Sequence, residues 1–252
     1  MHCVTFYLTL LLFAGLQQSC GAFPPWADSP QVPFNDYGEP ASENTREALK
    51  KADVIPDVLD DFEPSVSITL SYPAKHKSVG LGNKLKPKAV QSQPVFNIHA
   101  SGNAPTRTIK SGSTYVLVLT DPDATSRAQP VKAQMCHWIA TNITADHVDV
   151  EMSGVPTSLS PFDMRMESGG SGIQELVPYF PPTPPPKTGY HRYVFVLLAP
   201  KANDEPQGHL KKPKDRPHWG YGKVGAGVRE WAEENHLVAI GANFFYAQNK
   251  KQ

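Results

Sequence analysis

The stretch LTDPDATSRAQPVKAQMCHWIATN, Leu119 to Asn142, sets Asp121, Asp123 and His137 at the ends of two apolar runs. Seventy residues after Asp121, GYHRY supplies His191 and Tyr193 at the start of a third run. Unpaired charge inside such runs is costly, so these groups need partners. An aspartate beside a histidine orients the imidazole and favours its charged form, which presents N–H to an anion. Two histidines and a phenol offer donors to a phosphate or carboxylate, and the aspartates accept from an ammonium group. The same residues also fit a structural role, with aspartates capping turns and histidines bonding backbone carbonyls. Spacing alone leaves both open.

Three strands must position them. STYVLVLTDPD, QMCHWIATNIT and HRYVFVLLAP are nearly continuous β-branched, aromatic and aliphatic runs, the pattern of strands buried on both faces. If they are neighbours, with the second and third antiparallel to the first, Asp121, His137, His191 and Tyr193 meet at one rim. Around them, SVSITLSYP alternates as a half-buried strand, PVFNIHAS is a further strand, and VAIGANFFYAQ is the last. TREALKKADVIPDVLDDF carries apolar residues at helical spacing and predicts two short helices broken by Pro56 near Ile55. KVGAGVREWAEENHL predicts a helix with Val224, Val228, Trp231 and Ala232 on one face, and KHKSVGLGNKLKPKAV reads as a basic loop. The expectation is a β-sandwich-like core with peripheral helices, in one domain over residues 45–249.

Other motifs lack their context. GYGKVG, Gly220 to Gly225, matches a dinucleotide fingerprint, but no strand precedes it. ESGGSGIQE resembles a nucleophile elbow without the second glycine in register. There is no C-x-x-C, H-E-x-x-H or P-loop, so no metal, cofactor or catalytic residue is assigned.

Lys plus Arg (24) equals Asp plus Glu (24), which removes the net field that would attract nucleic acid. The 25 prolines favour short strands and extended loops over long helices. The apolar run Val4 to Leu16 falls short of the ~20 residues that span a bilayer. Small residues follow it at Cys20, Gly21 and Ala22, so residues 1–22 read as a secretory signal peptide, leaving no transmembrane segment in the mature chain. Residues 23–44, with five prolines, read as an irregular arm. Cleavage leaves Cys136 alone, without a disulfide partner, and Asn142-Ile143-Thr144 is a glycosylation sequon.

DPDATSR, CHWIATNI, GYHRYVFVLL and GANFFYAQ together resemble the phosphatidylethanolamine-binding protein family, also called the Raf kinase inhibitor family, over about residues 60–249. The resemblance implies a mainly β fold: a large central antiparallel sheet, a smaller sheet and peripheral α-helices. It also implies a pocket for phosphate, a phospholipid head group or a carboxylate. Carried over by position, the pocket residues are Asp121, Pro122, Asp123, His137, His191 and Tyr193. Thr125 stands where the family usually has proline, loosening the loop, and Met135 where mammalian members have a pocket tryptophan; no counterpart of the C-terminal helix that gates the mammalian pocket is expected after GANFFYAQ. The resemblance implies a secreted, non-catalytic binding protein. Fungal relatives suggest two alternatives: a serine carboxypeptidase inhibitor acting partly through the arm, or an accessory protein or enzyme coupling maleic anhydride units in secondary-metabolite biosynthesis.

Overall fold

A computed structural model of the protein describes residues 42–100, 113–144, 163–166, 172–201 and 209–252. The expected signal peptide, most of the arm and most of the elbow-like ESGGSGIQE stretch lie outside the described residues.

Two antiparallel strands from the sequence reading, β1 (Val66–Tyr72) and the strand over Val95–Ala100, pair across a six-residue register. The basic stretch between them is not all loop: it contains β2 (Lys77–Val79) and β3 (Asn83–Lys84), which makes the Val95–Ala100 strand β4. The three long buried runs are β5 (Thr114–Asp121), β6 (Met135–Thr144) and β9 (His191–Pro200), with short β7 (Asp163–Met166) and β8 (Gln174–Val177) between β6 and β9. The chain ends on β10 (Leu237–Ala247) and a short tail. Strand order is β2-β1-β4-β7 in the small sheet and β3-β10-β9-β5-β6-β8 in the large one. β5 lies between β6 and β9 and runs against both, as expected.

Period-two alternation divides the large sheet between two cores. Leu117, Leu119, Tyr193, Phe195 and Leu197 face the small sheet and pack with Val66, Ile68, Phe96 and Ile98. Val116, Val118, Val194, Val196 and Leu198 face the opposite way, onto Leu49, Val54, Val58 and Trp231 from the helices. Covering both faces explains the unbroken apolar runs.

The helices differ from expectation in detail. α1 (Ser42–Lys51) starts inside the stretch read as an arm, and the chain breaks at Asp53, which takes φ 54°, before α2 (Val54–Asp57). Ile55, just before Pro56, takes extended backbone (φ −99°, ψ 115°), so a second break falls near Ile55, where the sequence placed it. α3 is only Val228–Glu234, and Val224 lies outside it and is exposed. Its predicted first turn, from Lys223, is instead irregular, and Gly220, Gly222 and Gly225 in and before it take φ of 80°, 70° and 86°. The glycines of GYGKVG therefore serve left-handed backbone, not a phosphate cradle.

Candidate functional site

Asp121 ends β5 and His191 opens β9, two neighbours at one rim of the large sheet. Odd-numbered positions of both strands face the small sheet, so Asp121, His191 and Tyr193 share a side. His137 reaches that side by a different device. Leu119 pairs with Trp138 and Thr120 with Cys136, so the ladder skips His137 at a β-bulge. The bulge turns its ring toward Tyr193, edge-on at 5.3 Å, while Cys136 packs in the core on the helical side.

All of these groups are buried: Asp121 and His137 are 3% exposed, Asp123, His191 and Tyr193 1%. Each therefore needs the partners it has. Asp121 accepts the Asp123 N–H at 2.7 Å and faces His191 Nδ1 at 2.8 Å. The other His191 nitrogen, Nε2, meets Thr188 Oγ1 at 2.9 Å, and the Thr188 hydroxyl donates to the Pro185 carbonyl at 2.8 Å. Both nitrogens of His191 are thus engaged within the protein. Its ring stacks over Tyr193 at 6.3 Å.

Asp123 faces away from this group. It accepts from the backbone N–H of Arg192 at 2.8 Å and from its guanidinium at 2.9 and 2.6 Å. Arg192 also donates to Ala52 O, Asp53 O and the Asp57 carboxylate. The helical pair α1–α2 is thereby tied to the DPD turn. Pro122 is buried between the two aspartates.

Electrostatics divide the roles. Burial, reinforced by the Asp121 carboxylate, holds the Tyr193 phenol protonated far above its ordinary range. Burial also lowers His137 below 6.5, helped by Arg216 and His191 and opposed by Asp121 and the Phe180 carbonyl. A neutral His137 carries its hydrogen on Nδ1, because Nδ1 lies 2.7 Å from Phe180 O, an acceptor only. Nε2 then bears the lone pair. Phe180 stacks on the ring at 5.4 Å and is itself 41% exposed, a lid between His137 and solvent. The set combines a carboxylate, a phenol donor and a neutral imidazole acceptor.

The structure brings Asp121, His137, His191 and Tyr193 together and places Asp123 behind them as the Arg192 partner. Arg192, Thr188, Phe180 and Arg216 were missed from the sequence. A lone arginine inside an apolar strand was the available signal for Arg192. Cys136 is fully buried and its thiol is pushed up to about 12 by burial, so it is no nucleophile. Asn142 is exposed, and its amide nitrogen donates to Gly172 O at 2.5 Å. Thr125 lies in a turn closed by Lys132 N–H to Ala124 O at 2.8 Å. The tail after β10 is not helical; Lys251 O accepts from the Lys187 N–H and Gln252 from the Gly189 N–H, bracing the loop that carries Thr188. Among the described residues no three His, Cys, Asp or Glu side chains are placed to hold a metal ion, and no helix is long and apolar enough to cross a membrane.

The family profile for phosphatidylethanolamine-binding protein matches residues 75–245. The carboxypeptidase Y inhibitor of Saccharomyces cerevisiae is 32% identical over 216 residues, covering 81% of this chain and 94% of that protein. Protein TERMINAL FLOWER 1 of Arabidopsis thaliana is 32% identical over 207 residues, covering 81% and 92%. Among solved structures, carboxypeptidase Y inhibitor in complex with its cognate proteinase superposes with a TM-score of 0.71 at 29% identity, covering 83% of this chain and 97% of that one. A phosphatidylethanolamine-binding protein from Plasmodium vivax, at 22% identity and a TM-score of 0.57, shares the fold, covering 81% of this chain and 97% of that one.

Proposed function

The chain belongs to the phosphatidylethanolamine-binding protein family, and we propose that it is a secretory-route binding protein whose Asp121–His191–Tyr193–His137 cluster takes a small oxyanion. The phosphate of a phospholipid head group, free phosphate and a carboxylate share the required chemistry. One observation carries the reading: a buried carboxylate, a buried phenol and a buried imidazole converge at one rim beneath a half-exposed aromatic lid.

The mix of donors and acceptors selects the protonation state of the ligand. The Tyr193 hydroxyl, which bonds the Asp121 carboxylate in the free protein, turns to donate to a ligand oxygen. Asp121 and the lone pair of His137 accept, so the ligand that satisfies them carries an acidic hydrogen, as a phosphate monoester monoanion does. Phosphoethanolamine adds an ammonium group that the Asp121 carboxylate also attracts. No residue here is assigned a bond-breaking role. Calorimetric titration with phosphate and phosphoethanolamine tests the reading, with Tyr193→Phe as the variant that removes one donor and keeps the ring. The expected result is one site per chain, weakened about tenfold or more in the variant, the cost of one lost hydrogen bond to a charged group. Unchanged affinity in Tyr193→Phe contradicts the assignment.

A second reading, serine carboxypeptidase inhibition, is supported by similarity that covers nearly the full length of the yeast inhibitor and of the matched chain in the structure of carboxypeptidase Y inhibitor with its cognate proteinase. The segment proposed to act there is the proline-rich stretch before α1. Entry into the secretory pathway through residues 1–22, with sugar on Asn142, belongs to the same proposal; the sequon's exposed asparagine is compatible with it.

A further inference from the structure

Among the described residues, no carboxylate pairs with the Arg216 guanidinium. It donates to three backbone carbonyls, Cys136 O at 3.0 Å, His137 O at 3.2 Å and Pro178 O at 2.8 Å, and sits 5.4 Å from the Phe180 ring. Carbonyls fix the group in place without cancelling its charge, and among the described residues no carboxylate meets it. The same side chain forms the wall of a cleft of about 260 Å³ on the helical side of β6. Cys136, Val177 and Pro178 give the cleft an apolar floor, and Lys212 and Lys214 stand at its edge. Both lysines are exposed, and among the described residues neither has an ion-pair partner. One acid, Asp215, also lines it, and one of its carboxylate oxygens accepts the Arg216 backbone N–H at 2.7 Å. Three cations against one carboxylate leave a net positive cleft in a chain of zero net charge.

We propose that this cleft is a second ligand site, separate from the Asp121–His191 cluster, for a carboxylate carried on a short apolar group. The bulge sends His137 to one side of β6 and Cys136 to the other, while Arg216 borders both sites, lining the cleft and touching the Phe180 ring that stacks on His137. The apolar floor takes the hydrocarbon, and the two lysines with Arg216 take the carboxylate. The volume sits just under the roughly 300–1,000 Å³ of drug-sized sites, which sets the ligand at the size of one large side chain or a medium-chain acid. A concave cleft also fits a single protruding group better than it fits a flat bilayer. A free carboxylic acid and the C-terminal residue of a peptide both present this chemistry.

The test is calorimetric titration of the protein with octanoate and with a short peptide ending in leucine, against octylamine and the peptide amide as controls. Lys212→Gln/Lys214→Gln removes the mobile charges and Pro178→Trp fills the cleft, both at exposed positions. The expected result is saturable one-to-one binding of at least one acid, weakened tenfold or more in both variants and unaffected by saturating phosphate. Tighter binding of the peptide assigns the site to protein C-termini, and tighter binding of octanoate assigns it to free acids. No saturable binding of either acid, equal binding of the uncharged or amine controls, insensitivity to the variants, or displacement by phosphate would each overturn the proposal.

Discussion

Arg192 Nη2 lies 2.6 Å from Asp123 Oδ1, with both side chains buried to 3% exposure or less. The guanidinium reaches past this pair to Asp57 at 2.8 Å, so one side chain joins the DPD turn of β5 to α2. Asp123 in turn donates its backbone N–H to Asp121, which faces His191. The candidate pocket is therefore held from behind by a chain of charged hydrogen bonds that starts at the helical pair.

Breaking that chain at its buried link should be severe. Arg192→Ala leaves the Asp123 carboxylate buried without its cation, a loss of ~3–5 kcal/mol. Asp57 is 46% exposed, so Asp57→Ala should cost under about 1 kcal/mol through the same bond geometry. Urea unfolding of the two variants checks the contrast; equal losses would mean that the buried pair is not the element that matters.

The pH response of stability follows from His137, which burial lowers below 6.5. The unfolded chain binds the proton first, so stability is unaffected above about pH 7 and falls as pH drops below the ordinary histidine range. His137→Gln should remove this component of the acid loss. A ligand hydrogen accepted by Nε2 needs the neutral ring, so affinity for the phosphate monoanion should fall over the same descent in pH, and less so in His137→Gln. Unfolding curves and phosphate titrations at about pH 5 and above about pH 7 read both effects.

Gly220 takes φ 80°, and a Cβ there would sit 2.8 Å from the backbone nitrogen of Asp215. Backbone cannot move aside as a side chain can. Gly220→Ala should cost about 1–3 kcal/mol and disturb the loop that carries Lys214 and Arg216. Gly222→Ala, with φ 70° and open space around its Cβ position, should cost less. Thermal unfolding of the two variants distinguishes steric from conformational strain.

Removing residues 23–41 leaves α1 whole, because it begins at Ser42. If the proline-rich stretch carries carboxypeptidase inhibition, the shortened protein should lose inhibition of a serine carboxypeptidase and keep its phosphate affinity. Inhibition that survives the deletion assigns it to the folded domain instead.

Much of this architecture is legible in the residues. Unbroken apolar runs announced β5, β6 and β9 as central strands, and the motif-bearing ends of those runs placed Asp121, His191 and Tyr193 at one rim. His137 shows where such reading stops. Strict alternation from Trp138 would send it to the other face, and only the bulge, which depends on the register between β5 and β6, brings it back. Arg192 and Asp57 escaped for a similar reason, since their bond spans 135 residues. The early end of α1 at Lys51 and the αL turn at Asp53 follow from the carbonyls that Arg192 gathers there, a tertiary demand that helix propensity does not encode.

The measurement closest to the central claim is a thermal-shift titration of the protein lacking residues 1–22 with phosphate, phosphoethanolamine and a small dicarboxylate, beside Asp121→Ala and His191→Ala. The account predicts stabilisation of the wild type that grows logarithmically with ligand concentration above saturation. It also predicts affinities lower by about 1–3 kcal/mol in each variant, the cost of leaving buried polar partners unmatched. No shift with any of the three anions, or shifts of equal size in wild type and both variants, would contradict an oxyanion site at the Asp121–His191 rim.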